Sequence, residues 1–126
     1  MLDQYRRMEV ETATPGELIL MVYDSTIRSL EKAKFKLSQN KVEEANEFLF
    51  KAQDCIAELM NALNLDVGDI AKSLHRLYTF MLNHLNDVMV KKQRKSIDET
   101  IALLNSLKET WEEILKRETG RIVVQA

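Results

Sequence analysis

The side chains of this sequence that could do chemistry are two histidines, His75 and His84, one cysteine, Cys55, and the carboxylate pairs Glu43-Glu44, Asp98-Glu99 and Glu112-Glu113. The histidines are nine residues apart, which on a helix sets them about 180° from each other around the axis, so they cannot share a metal or a proton relay. A di-iron bundle needs Glu-x-x-His pairs aimed into its core. Position 72 is Lys72 and position 81 is Met81, so neither histidine has that glutamate. Both read as surface histidines. Cys55 falls just off the apolar stripe of its helix with no histidine near it in sequence, and reads as a packed or half-exposed thiol. The carboxylate pairs occupy first turns or solvated faces, without the apolar flanks that would bury a general acid or base and shift its pKa. Three glycines could hardly build a phosphate loop. These residues predict no enzyme, no metal and no cofactor.

The elements that carry them are helices. Thr14-Pro15-Gly16-Glu17 reads as a capping box with proline at the first helical position. From there to about Ser38, Leu18, Ile19, Val22, Tyr23, Leu30, Ala33 and Leu37 recur at spacings of three and four. Asn40-Lys41-Val42-Glu43 reads as a second start, and Val42, Ala45, Phe48, Leu49, Ala52, Ile56, Leu59, Met60 and Leu63 form its stripe. After the break Leu65-Asp66-Val67-Gly68-Asp69 comes a third stripe of Ile70, Leu74, Leu77, Tyr78, Met81, Leu82, Leu85, Val88 and Met89. The basic run Lys91-Lys92-Gln93-Arg94-Lys95 closes that helix and complements the negative end of its dipole. Ser96-Ile97-Asp98-Glu99 reads as a capping box opening a fourth helix with Ile97, Ile101, Leu104, Leu107, Trp111, Ile114 and Leu115, and Gly120 as its end. Four helices joined by short breaks predict an all-α fold, an antiparallel up-down-up-down four-helix bundle over residues 14–119. A segment 1–13 precedes it and a tail 120–126 follows. Ile122-Val123-Val124 is too short to form a sheet alone.

The 126 residues suit one domain that folds without a disulfide or metal staple. The net charge of −2 lacks the basic face that nucleic-acid binding requires. A single cysteine fits a reducing compartment, and Asp3, Arg6, Arg7 and Glu9 interrupt any signal peptide. The longest apolar run, Leu18 to Tyr23, is far short of the roughly 20 residues of a membrane span. A cytoplasmic location is the expectation.

The anomaly is surplus apolar surface. Leu20, Met21, Ile27 and Phe35 fall outside the first stripe, Phe50 and Ala57 lie opposite Leu59 on the second helix, and Tyr78, Met81, Leu82 and Met89 spread over a broad sector of the third. Bundle helices need apolar residues at about three positions in seven. The excess, rich in flexible thioethers and aromatic rings, suits a surface that accepts another helix, whether a partner's or that of a second copy. Tyr5, Met8 and Val10 likewise leave the leading segment too apolar for a plain polar tail.

Several stretches together give the sequence a family likeness. They are Tyr5 ahead of the bundle; Thr14-Pro15-Gly16-Glu17-Leu18 running into Met21-Val22-Tyr23-Asp24; Lys51-Ala52-Gln53 with Ile56 and Glu58-Leu59; Leu63 and Asp66 before Gly68; Leu74 with Leu77-Tyr78 and Met81; and Trp111. In this order and spacing the sequence resembles the FliS family of flagellar secretion chaperones, which hold flagellin in the cytoplasm before export. It departs from the family at Ser25, where glycine usually follows Tyr-Asp, and at Gln39-Asn40, where Gly-Asp is usual. Both read as turn or surface positions.

The resemblance implies a one-to-one complex with the C-terminal segment of flagellin, disordered alone and helical once it wraps the chaperone, so that premature polymerisation is blocked. It also implies that the leading segment lies over the groove until flagellin displaces it. The partner-binding residues assigned on this reading are Tyr5, Met8, Lys51, Gln53, Ile56, Met60, Leu74, Tyr78, Met81 and Leu82. The flagellar export gate is a further expected partner. The alternative is a helical homodimer with no export role.

Overall fold

The computed structural model describes residues 13–116. The expectations for the leading segment with Tyr5 and Met8, for Gly120 and for the tail 120–126 lie outside the described residues.

Helix α1, Pro15–Ser38, starts as its sequence dictates: the Thr14 Oγ1 accepts the Glu17 amide at 3.2 Å, and Pro15 fills the first turn. It ends differently from expectation. Asn40 does not cap the next helix; it takes a left-handed conformation, φ 60°, while the amides of Gln39 and Lys41 donate to the Lys36 carbonyl at 3.1 and 2.9 Å. Asparagine tolerates that conformation better than most residues, so the chain uses it to stop α1. Helix α2, Val42–Asn61, then begins at Lys41 without a side-chain cap, its first turn carrying Glu43 and Glu44 toward the positive end of the dipole.

A short 3-10 turn, Leu65–Val67, is capped by the Asn64 Oδ1, which accepts the Asp66 amide at 3.2 Å. Gly68 follows at φ 118°, a conformation open to glycine, and launches α3, Asp69–Lys91. Helix α3 stops at Lys92, left-handed at φ 57°, and α4 runs Lys95–Lys116. The capping box expected at Ser96 is not formed. Ser96 lies inside the first turn, buried, its carbonyl accepting the Thr100 hydroxyl at 2.7 Å, and Glu99 turns instead to His84 Nε2 at 2.7 Å.

Cross-helix contacts fix direction. Along α1 and α4, Gly16 lies against Leu115, Asp24 pairs with Lys108 at 2.5 Å and Lys34 with Asp98 at 2.7 Å, so one number falls as the other rises. Along α1 and α2, Cys55 meets Ser25 and Lys36 meets Glu44 at 3.4 Å in the same antiparallel sense. Helix α1 packs on α2 and α4, and α3 packs on α2 and α4, which closes four helices into an up-down-up-down ring.

The interior holds Tyr23, Leu30, Leu49, Ile56, Leu59, Tyr78, Met81, Leu85, Ile97, Leu104 and Trp111. Two residues expected in the stripes stay outside: Val42 is 48% exposed and Ile70 65%. Each stands in the first turn of its helix, at an end of the bundle where fewer neighbouring turns can cover it. Two threonines join the core unannounced, Thr26 and Thr100, because their hydroxyls donate back to the Val22 and Ser96 carbonyls at 2.7 Å each. Ser25 is neither a turn nor a fully exposed position: it sits within α1, half-buried, its Oγ 3.9 Å from the Cys55 Sγ.

Candidate functional site

The ten residues assigned to partner binding separate into three groups. Tyr5 and Met8 lie outside the described residues. Ile56, Leu74, Tyr78 and Met81, expected in a groove, are buried in the core of the free chain. Their positions on α2 and α3 point at the bundle axis, so they support a surface and do not offer one. The remaining four, Lys51, Gln53, Met60 and Leu82, keep part of their side chains accessible.

Gln53 and Leu82 come together. The Gln53 amide donates to the Leu82 carbonyl at 3.5 Å across the seam between α2 and α3. On α2, Phe50 and Met60 stand one turn before and two turns after Gln53, and so share its face. On α3, Met89 stands two turns beyond Leu82. Met60, Leu82 and Met89 are half-buried against the core, and Phe50 is 55% exposed. The seam ends in a small hollow of about 100 Å³ lined by Leu37, Val42, Asn46, Val88, Met89, Lys92 and Arg94. It is an apolar strip with one amide at its centre and two cations at its end.

Lys51 belongs elsewhere. It stands two positions before Gln53, or about 200° away around the helix. Its Nζ lies 5.1 Å from the centre of the Phe48 ring, on the α1 side of α2. Phe80, 51% exposed on α3 and 4.4 Å from the His84 ring, is a third exposed aromatic region that sequence reasoning missed. The test that singled out Phe35 and Phe50, an apolar residue off its helix stripe, would have found it.

Electrostatics add no reactive centre. Burial first, and then the neighbouring Tyr78, pushes the Tyr23 phenol far above its ordinary value; burial also raises Tyr78. Lys108 is raised by its hydrogen bond to Asp24, and Lys34 by its bond to Asp98. Among the described residues no group of three or more His, Cys, Asp or Glu side chains is placed to hold a metal ion. No described helix is long and apolar enough to cross a membrane.

Fold and surface together define an all-α antiparallel four-helix bundle whose distinctive features are half-exposed apolar seams. Comparison with known proteins assigns it further. The family model described as flagellar protein FliS matches residues 1–118. The chain is 32% identical over 120 residues to the flagellar secretion chaperone FliS of Salmonella typhimurium, covering 90% of this chain and 88% of that protein. It is 30% identical over 118 residues to the protein of the same name from Vibrio cholerae, covering 90% and 87%. A crystal structure of a bacterial flagellar chaperone superposes with a TM-score of 0.77 over 92% of this chain and 98% of that one, at 23% identity, which supports the fold. The chain belongs to the FliS family of flagellar chaperones.

Proposed function

We propose that this protein holds the C-terminal segment of flagellin in the cytoplasm, prevents its premature polymerisation and keeps it competent for type III flagellar export, without acting as an enzyme. The observation that carries the reading is the α2–α3 seam, where Phe50, Met60, Leu82 and Met89 leave apolar surface along a line of several helical turns. An amphipathic helix laid there buries its own apolar face, each large side chain contributing on the order of 1.5–3 kcal/mol of transfer free energy. Ordering a flexible segment costs much of that gain, which leaves a complex that can be released at the export gate. The Gln53 amide offers the incoming backbone a polar anchor, since its bond to Leu82 at 3.5 Å is long enough to exchange. Tyr5 and Met8 are proposed to cover the same strip until flagellin displaces them; such a self-competitor lowers apparent affinity by the fraction of time it occupies the site.

Calorimetry with the C-terminal segment of the cognate flagellin tests the reading. Binding one-to-one, with helix gained and a large negative heat-capacity change, is expected. No binding at micromolar concentration ends it, and self-association without flagellin binding turns the assignment to the homodimer.

A further inference from the structure

On the other side of α2, toward α1, the bundle carries a hollow of about 450 Å³ lined by Glu31, Lys32, Phe35, Lys36 and Phe48. Phe35 is 60% exposed at its edge, and Phe48 forms its floor, half-buried against the core. Two ammonium groups from different helices approach the same ring, Lys32 at 5.6 Å and Lys51 at 5.1 Å from the Phe48 centroid. A ring face attracts a cation without neutralising it. Neighbouring lysines have carboxylates: Lys36 pairs with Glu44 at 3.4 Å and Lys34 with Asp98 at 2.7 Å. Among the described residues Lys32 and Lys51 have no ion pair. Each ammonium group over the ring keeps its charge available to an anion, and the exposed Phe35 beside them leaves apolar surface in water. One ligand relieves both: an apolar side chain laid on Phe35 and Phe48, with a carboxylate reaching between the lysines.

We propose that this hollow is a second docking site, for a peptide segment that carries an apolar side chain next to acidic residues. It is distinct from the seam proposed for flagellin, because Lys51 and Gln53 leave α2 in nearly opposite directions. Glu31, the only carboxylate among the described residues that line the hollow, sets the peptide's direction, its acidic end toward Lys32 and Lys51 and away from Glu31. A peptide suits this site better than an anionic membrane or a nucleic acid. Those need an extended basic face, and here the hollow is lined by Lys32, the paired Lys36 and Glu31, on a chain of net charge −2.

The experiment uses the full-length chain, isotope-labelled, titrated with a short synthetic peptide of leucine and phenylalanine flanked by glutamates. A control peptide has every glutamate replaced by glutamine. Amide shifts at residues 31–36 and 47–51 are expected. Affinity should fall roughly tenfold for the glutamine control and for Lys32→Glu with Lys51→Glu, as expected when a steering charge pair is lost. Phe35→Ser should weaken binding comparably, and because all three side chains are exposed the helical circular dichroism should not change. No shifts in this region, or binding indifferent to all of these variants, overturns the proposal. Binding of phosphatidylserine vesicles that needs Lys32 and Lys51, with no peptide binding, overturns it in favour of a membrane contact. The same variants titrated with the flagellin C-terminal segment should keep their affinity within about twofold. Joint loss would make the hollow part of the flagellin footprint and overturn the second site. Failure of flagellin to bind at all leaves the peptide titration to decide by itself.

Discussion

The phenol oxygens of Tyr23 and Tyr78 lie 2.5 Å apart in the middle of the bundle, with the two rings tilted at 56°. The Trp111 indole donates to the Tyr23 oxygen at 3.0 Å, so one buried polar node ties α1, α3 and α4 together. An indole nitrogen can only donate, which makes the Tyr23 oxygen the acceptor on which the node depends. Tyr23→Phe therefore strands a buried indole and removes the partner of a buried phenol. A loss of about 2–4 kcal/mol is expected. Tyr78→Phe leaves the indole satisfied and should cost about 1 kcal/mol. Denaturant unfolding of both single variants and the double variant measures this; equal costs for the two singles would show that the node has no such hierarchy.

The same burial gives a pH dependence. Burial holds the Tyr23 and Tyr78 phenols above the ordinary tyrosine value of about 10, so the folded chain favours their neutral forms. The contribution is fully present below the unfolded value and is lost as pH rises through and beyond it, because only the unfolded chain then ionises these phenols. The chain has three tyrosines, the third being Tyr5. Alkaline titration followed by tyrosinate absorbance should give no more than one tyrosine's amplitude while the circular dichroism is still native. The remaining two should appear together with unfolding. Three tyrosines ionising before the helix signal changes would contradict the buried node.

Lys92 carries a left-handed conformation, φ 57°, that suits glycine far better than a β-carbon. Lys92→Gly should relieve about 1 kcal/mol of backbone strain, offset in part by the greater freedom of glycine in the unfolded chain. A small rise in melting temperature is the expected result. Lys92→Val should lower it, and no difference between the two would mean that the α3–α4 turn does not select for conformation.

The helices were legible because apolar spacing and punctuation agreed: Thr14 and Pro15 open α1 where a capping box demands it, and Gly68 precedes α3. Misreadings came from residues with two competing uses. Asn40 suits either a helix start or a left-handed stop, and only the three-residue link to α2 decides between them. Ser96 and Glu99 match a capping box, but Glu99 has a better partner in His84 from another helix, which no local pattern reveals. The partner surface was the least legible part. An off-stripe test marks Phe35 and Phe50 as exposed, but the breadth of the third stripe also counts Tyr78 and Met81 as surplus, and both are buried. Their burial depends on where the neighbouring helices stand, and the spacing within one helix does not contain that.

Lys51 and Gln53 flank Ala52, and sequence logic treats them as one polar contact. The structure puts Gln53 on the α2–α3 seam beside Leu82 and Lys51 over Phe48 on the α1 side. If flagellin lies along the seam, the two must separate in experiment. Gln53→Ala should weaken the flagellin C-terminal segment several-fold, the effect of losing one hydrogen bond of about 1 kcal/mol. Phe50→Ser, which removes an exposed ring from the same face, should cost about tenfold or more, as truncation of an aromatic anchor does. Lys51→Ala should leave the affinity within about twofold, because a charge on the far side of α2 is screened from the seam by solvent. All three variants should melt within a few degrees of the parent, since Lys51 and Phe50 are exposed and Gln53 makes only a long, part-buried bond. Calorimetry on the three variants reads the order directly. A Lys51→Ala loss as large as that of Phe50→Ser would move the flagellin site to the α1 side of α2 and remove the seam from the account.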